Sequence, residues 1–488
     1  MAYALAFPKT QIAFLAFVFL LPLLLAVENK HPAAHFRIFY CYAFASHLII
    51  LYWIPRVMVQ YGGTTWILGI TGLIALAAYL SIFSGLAGML IGKFANEGSL
   101  RGAVFWIPTI WIAKDLAIEK IFSGFPWCLA GYSQYQNLYF SQWSEIGGIH
   151  LVSFLIIGIN VLFFGLWKTK SKKILLALLA VFLTVHAGGF WLLKNHSART
   201  AKIPFRQAGI IQPNSNHDQV FDFALIKISL EKLFASSLQL KKSGAEFMIW
   251  PEFTVPIYPL QTPYFKEQFL SFSQNHLPLL AGFTDYQGAG KVYNSVMLFK
   301  DGIIEKYDKV QLTPFGEYVL FRRCLFFVKK ITDEIGDFTP GEKLHNLDMG
   351  GHWLSTPICY EIIYPELVRT LIAQGGEVIV TISNDSWFGN SSAPYQHLAM
   401  AVFRSIENRR FLLRSTSNGI SALVDPAGRI RHQSPLHQPQ EFLARFQYLT
   451  GRTPFTRWGY LFPYVCFLLV LGKLIWMLVK KKGRRYQP

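Results

Sequence analysis

Three short segments carry a side chain that could do chemistry, two of them at the end of an apolar run. Ile249-Trp250-Pro251-Glu252 ends in a carboxylate and Pro357-Ile358-Cys359-Tyr360-Glu361 presents a thiol. Between them, Tyr307-Asp308-Lys309-Val310-Gln311-Leu312-Thr313-Pro314-Phe315-Gly316-Glu317-Tyr318 carries a lysine. A strand end is a rigid platform, and chemistry on α/β sheets gathers there. The three residue types complement one another. A thiol is a good nucleophile once its proton is removed. A carboxylate whose pKa is raised by burial can remove it. An ammonium group favours the thiolate and stabilises the oxyanion of a tetrahedral intermediate. Singly, each has a plainer reading as a loop acid, a solvated lysine or a small core cysteine; together, in this order, they point to nucleophilic catalysis by the thiol.

The elements that must position these groups lie in residues 203–445. Short apolar strands at 207–212, 246–251, 278–284, 293–299, 354–359 and 377–383 alternate with helical stretches at 218–242, 262–276, 364–374 and 394–410. Such alternation predicts an α/β layered domain.

The rest of the chain is different in kind. Of 488 residues, 52% are hydrophobic and only 15% charged, against about 25% charged in soluble proteins. Apolar stretches near 11–27, 38–54, 65–91, 147–167, 174–193 and 459–479 are long enough, or nearly so, to cross a bilayer, which takes about 20 residues. A seventh at 102–120 has a polar end with Lys114, Asp115, Glu119 and Lys120. The chain therefore divides into N-terminal spans (1–195), an α/β domain (203–445), a last span (459–479) and a basic tail (480–488). The net charge of +18 sits largely in runs beside apolar segments: Lys168, Lys170, Lys172 and Lys173, then Lys480, Lys481, Lys482, Arg484 and Arg485. By the positive-inside tendency the tail and the 168–173 loop face the cytoplasm and the α/β domain lies outside it. The sequence contains no nucleic-acid-binding motif, and nucleic acid is not an expected partner. The five cysteines (Cys41, Cys128, Cys324, Cys359 and Cys466) match neither a disulfide framework nor a zinc site. A Cys324–Cys359 disulfide would abolish the chemistry above.

The three segments resemble the Glu–Lys–Cys triad of the nitrilase (carbon–nitrogen hydrolase) superfamily, which implies an αββα sandwich. A narrower likeness joins them. Lys309 through Leu320, Ile358-Cys359-Tyr360-Glu361, Thr381-Ile382-Ser383-Asn384-Asp385-Ser386-Trp387-Phe388-Gly389 and Leu413-Arg414-Ser415-Thr416-Ser417-Asn418-Gly419-Ile420 are similar to the apolipoprotein N-acyltransferase family. So are Gly124-Phe125-Pro126-Trp127 and Gly131-Tyr132-Ser133-Gln134 in the apolar part. The family has eight spans, one more than the seven counted here, which leaves the first span unmatched.

This resemblance implies a polytopic helical membrane domain in a bacterial inner membrane and an enzyme working without cofactor or metal. A fatty acyl chain would pass from a phospholipid, chiefly phosphatidylethanolamine, to the amine of a lipoprotein's diacylglyceryl-cysteine. Glu252, Lys309 and Cys359 are the implied catalytic residues. Glu317, Glu361 and Tyr360 would support them, and Trp387, Tyr318 and Phe315 would meet substrate. The stretch from Phe315 to Phe327, with Arg322 and Arg323 among its aromatics, is expected to act as a lipid-touching lid. Two other readings compete: a membrane-bound amidase or nitrilase using the same triad, and a scaffold with an inactive nitrilase fold.

Overall fold

The computed structural model describes residues 1–60, 62–94, 99–215, 222–288, 290–318 and 338–485, with side chains as far as Lys480. Two compact units divide the chain: Met1–Tyr52, Ile70–Leu193 and Trp458–Pro488 in the first, Trp53–Gly69 and Lys194–Arg457 in the second.

Among the described residues four helices have the length and hydropathy of a membrane span: Trp66–Phe94, Ser144–Thr169, Lys172–Thr200 and Leu461–Lys480. A fifth follows if Pro32–Ile50 and Ile54–Gln60 are counted as one broken span. The break has a local cause, since Pro55 lacks an N–H and its ring clashes with the carbonyl four residues back. Segment 11–27, expected as one span, is instead a 3₁₀ turn (Ala13–Phe17) and a seven-residue helix (Leu21–Val27) with Pro22 near its start. Buried Asn160 serves the gap. Its Oδ1 accepts from the Leu20 N–H at 2.9 Å and its Nδ2 donates to the Ala16 carbonyl at 2.8 Å. Irregular backbone at membrane depth requires such internal partners. Segment 102–120 is a helix, Leu100–Lys120, but too polar to match the other four. Three of its charged side chains have close partners inside the unit: Lys114 lies 2.6 Å from Asp115, Glu119 2.9 Å from His150, and the Tyr460 hydroxyl 2.6 Å from Glu119.

The second unit is a sandwich. Its strands are β1 (Arg206–Gln212), β2 (Phe247–Ile249), β3 (Leu279–Tyr286), β4 (Val292–Lys300), β5 (Ile303–Asp308), β6 (Leu347–Asp348), β7 (Trp353–Ser355), β8 (Val378–Ser383), β9 (Leu412–Thr416), β10 (Ala422–Val424), β11 (Ile430–Gln433) and β12 (Gln440–Phe446). They form two six-stranded sheets, ordered β12-β1-β2-β3-β4-β5 and β11-β10-β9-β8-β7-β6. In each sheet three neighbouring strands run parallel, β1–β3 and β7–β9, and the outer ones are antiparallel.

Alternation along each strand sorts the side chains into layers. Ile210, Ile249, Leu280, Val296 and Leu298 from the first sheet meet Leu354, Val380, Ile382 and Leu413 from the second in a core between the sheets. Their neighbours Ile211, Met248, Leu279, Ala281 and Met297 point the other way and pack on Leu230, Leu233, Phe265 and Phe269 of the helices Phe223–Lys242 and Pro263–Asn275. Helix Pro365–Ala373 buries Val368, Leu371 and Ile372 on one face, and helix Ala393–Asn408 is buried except at Tyr395. The order helix, sheet, sheet, helix is the expected αββα sandwich. Each fully buried Leu or Ile contributes about 1.5–3 kcal/mol, so these layers hold the strand ends firmly.

Candidate active site

The carboxyl ends of the parallel strands β2, β7 and β8 converge with the end of β5. Glu252 follows β2 by three residues and is 2% exposed. Its Oε1 accepts from Asn294 Nδ2 and its Oε2 from the Asn384 backbone N–H, both at 2.7 Å. Lys309 directly follows β5 and is 1% exposed. Its Nζ donates to Glu317 Oε1 at 3.0 Å and lies 3.6 Å from Glu252 Oε1. Asn294, in the middle of β4, also donates to Glu317 at 2.7 Å, so one amide bridges the two carboxylates.

Cys359 does not end a strand as the sequence suggests. β7 stops at Ser355, Pro357 supplies no N–H for a ladder, and Ile358 makes only an isolated bridge to Ile382. Cys359 then opens a 3₁₀ turn, Cys359–Ile363, with a left-handed φ of 49°. For a residue with a Cβ that conformation costs roughly 1–2 kcal/mol, so the surroundings must hold it. Glu361 is one such hold. Its Oε2 accepts from the Ile358 N–H at 2.8 Å, while Oε1 accepts from Val310 N–H (2.8 Å), Gln311 N–H (3.0 Å) and the Tyr307 hydroxyl (2.9 Å). One buried carboxylate thus ties the segment carrying Lys309 to the segment carrying Cys359.

The electrostatics follow from burial. Burial raises the Glu252 pKa and Glu317 adds to it, against the pull of Lys309. Burial works against the Lys309 charge, but Glu317, Glu252 and Cys359 together raise its pKa, so it stays an ammonium. Burial pushes the Cys359 thiol well up and Glu252 pushes it further, with Lys309 opposing. Burial likewise takes Glu361 up to about 7 against its four donors. The three groups therefore feel one another's charge: a carboxylate able to accept a proton, a thiol that keeps its own at neutral pH and a fixed positive charge.

The remaining expected site residues are less central. Tyr360 is buried, its ring edge-on to Tyr364 at 5.4 Å. Phe315 is 38% exposed and its N–H donates to the Tyr318 carbonyl at 2.7 Å. Trp387 sits half-buried in the 3₁₀ turn Asp385–Phe388. Cys324 and the expected lid residues from Leu320 to Phe327 lie outside the described residues, and Cys359 is a free thiol. Among the described residues no group of three or more His, Cys, Asp or Glu side chains is arranged to hold a metal ion.

Several side chains that sequence reasoning did not single out also belong here. Ser383 Oγ lies 3.2 Å from Cys359 Sγ and 2.7 Å from Asp385 Oδ1. Arg414, in the middle of β9, donates to Asp385 Oδ2 at 2.8 Å, and His397 approaches both. The available signal was polarity inside apolar strands, at Asn294-Ser295 and Arg414, because buried polar groups need a stated partner.

A two-sheet sandwich with a carboxylate, an ammonium and a thiol at its converging strand ends defines a carbon–nitrogen hydrolase domain. That family's model, described as carbon-nitrogen hydrolase, matches residues 207–441. Residues 1–162 match the apolipoprotein N-acyltransferase N-terminal domain. The chain is 33% identical to the apolipoprotein N-acyltransferase of Geobacter metallireducens over 95% of its own length and 91% of that protein's. It is 29% identical to that of Azotobacter vinelandii, covering 97% and 92%. The chain belongs to the apolipoprotein N-acyltransferase family, and is a membrane protein with an acyltransferase's catalytic domain. Solved structures give distant likenesses. One is an amidase from Nesterenkonia sp. (TM-score 0.38, 18% identity, 50% of this chain and 91% of that one). Another is a carbon-nitrogen hydrolase from Helicobacter pylori G27 (TM-score 0.40, 19% identity, 53% and 94%).

Proposed function

We propose that this chain moves a fatty acyl group from a membrane phospholipid to the N-terminal amine of an S-diacylglyceryl-cysteine on a lipoprotein, in two steps through a thioester on Cys359. The observation that carries this reading is the buried cluster of Glu252, Lys309 and Cys359 in a chain that follows an apolipoprotein N-acyltransferase over nearly its full length.

In the first step Glu252 takes the thiol proton as sulfur attacks the ester carbonyl. Lys309 and the Tyr360 backbone N–H meet the oxyanion. The C–O bond breaks and Glu252 returns the proton to the departing lysophospholipid. In the second step the lipoprotein amine attacks the thioester, Glu252 takes a proton from nitrogen, the C–S bond breaks and the thiol is restored. Exchange of ester for thioester is nearly balanced and thioester to amide runs downhill, so the donor itself supplies the driving force.

Glu317 keeps Lys309 charged and in place, and Glu361 joins the Lys309 and Cys359 segments. Phe315, Tyr318 and Trp387 would line the path of the acyl chains. Phosphatidylethanolamine is the expected donor. The charge runs at 168–173 and 480–485 favour a bacterial inner-membrane protein with residues 203–445, the catalytic domain, on the extracytoplasmic side.

The test is product analysis with full-length protein, phospholipid micelles and a synthetic diacylated lipopeptide. The expected products are a lipopeptide with a third acyl chain and a lysophospholipid, both absent with Cys359→Ala. Free fatty acid without acylated peptide would overturn the proposal in favour of a hydrolase.

A further inference from the structure

His397, on the buried helix Ala393–Asn408, reaches the nucleophile's backbone rather than its sulfur. It is 1% exposed, and its Nε2 lies 3.2 Å from the Cys359 carbonyl oxygen. Its other nitrogen, Nδ1, lies 3.1 Å from an Arg414 guanidinium nitrogen and 3.3 Å from Asp385 Oδ1. A carbonyl oxygen only accepts, so Nε2 carries a proton and donates to it, whichever group Nδ1 meets. Arg414 is fixed in turn, by Asp385 Oδ2 at 2.8 Å and the Ile420 carbonyl at 3.1 Å. The ring is therefore held at both edges and has one orientation.

The carbonyl of Cys359 and the N–H of Tyr360 belong to a single planar trans peptide and point in opposite directions. Holding the first aims the second. Tyr360 is the second residue of its 3₁₀ turn, so its N–H has no intrahelical acceptor. That N–H is the backbone donor assigned above to the oxyanion. We infer that His397 is a positioning residue: by donating to the Cys359 carbonyl it fixes the Cys359–Tyr360 peptide plane, and through it the amide that meets the oxyanion. The Asp385–Arg414 pair anchors the other edge of the ring. The inference rests on the acyl-transfer reading above.

Two amide substitutions separate this role from packing. In His397→Gln the side-chain amide reaches as far as Nε2 and can donate to the carbonyl; in His397→Asn it reaches only as far as Nδ1. Both remove the ring, so a merely structural role would make Gln and Asn similar. Full-length variants would be assayed for kcat and KM on phospholipid and for the rate at which Cys359 gains an acyl mass. Loss of one oxyanion donor costs about 10²–10³ in kcat. A misaimed one is therefore expected to lower kcat of the Asn variant roughly 10- to 100-fold with KM little changed, whereas Gln stays within a few-fold of wild type. Equal kcat for Gln and Asn, whether both high or both low, would overturn the inference. Failure of the acyl-transfer reading would instead appear in wild-type protein, as no acylated lipopeptide at all.

Discussion

At neutral pH the Cys359 thiol holds its proton, because burial and the facing Glu252 carboxylate both disfavour the thiolate. In the proposed reaction that proton passes to Glu252 as the carbon–sulfur bond forms. Glu252 must be ionised to accept it, and burial raises its pKa above the ordinary carboxylate range of about 4.3. The sign follows directly. As pH falls Glu252 becomes protonated earlier than a free glutamate, and acylation of Cys359 is lost. Lys309 adds no alkaline limb, since Glu317 and Glu252 keep it charged well beyond neutrality. The rate of acyl-enzyme formation should therefore drop on the acid side with a midpoint above 4.3, and Glu252→Gln should lower it by about 10²–10⁴-fold, the usual contribution of a general base. A rate in the Gln variant close to wild type would remove Glu252 from the mechanism.

Among the elements, the site depends on how closely the two sheets approach. Gly282 lies in β3, where a Cβ would meet Ile382 Cδ1 at 2.5 Å and the Glu252 Cα at 2.6 Å. Ile382 can shift, but a backbone Cα cannot. Gly282→Ala should therefore displace Glu252, lowering kcat about 10- to 100-fold and stability by about 1–3 kcal/mol, read from turnover and thermal unfolding. Unchanged kcat would mean that the Glu252 position is not critical. The same elements explain what was legible in the sequence. Strands β1, β3, β4 and β8 were readable as apolar runs because they are buried on both faces. Strand β9 was not, since Arg414 and two hydroxyl residues interrupt its pattern. Strands β6 and β10 are two or three residues long, too short for periodicity to register, and β7 was read too long, as 354–359 against Trp353–Ser355. Glu252 and Cys359 stood out because each follows an apolar run, and Lys309 because its segment lies between theirs. Asn294, Ser383 and His397 did not, since their partners come from distant strands and only the fold joins them.

For the whole molecule, the membrane spans were legible as composition and less so as geometry. Helix Leu100–Lys120 carries five charged side chains, two of them paired to each other, which lowers its hydropathy. Proline breaks the segments near 22 and 55. The lysine runs still favour one orientation, the one proposed above. A phosphatase reporter that folds only outside the cytoplasm should be active when fused after residue 203 and silent when fused after 488; the reverse pattern would contradict the assigned sidedness. With that orientation the proposed catalytic residues would work where ATP is absent, which suits a reaction whose acyl donor is already an ester.

The central claim is that Cys359 sulfur briefly carries a fatty acyl chain, and intact-protein and peptide mass spectrometry after incubation with a phospholipid of known chain length tests it most directly. The expected result is one added acyl group on the Cys359 peptide, absent from Cys359→Ala and discharged on adding a diacylated lipopeptide. Lipopeptide acylated at the normal rate with no such adduct trapped in single turnover, or made by Cys359→Ala, would contradict it.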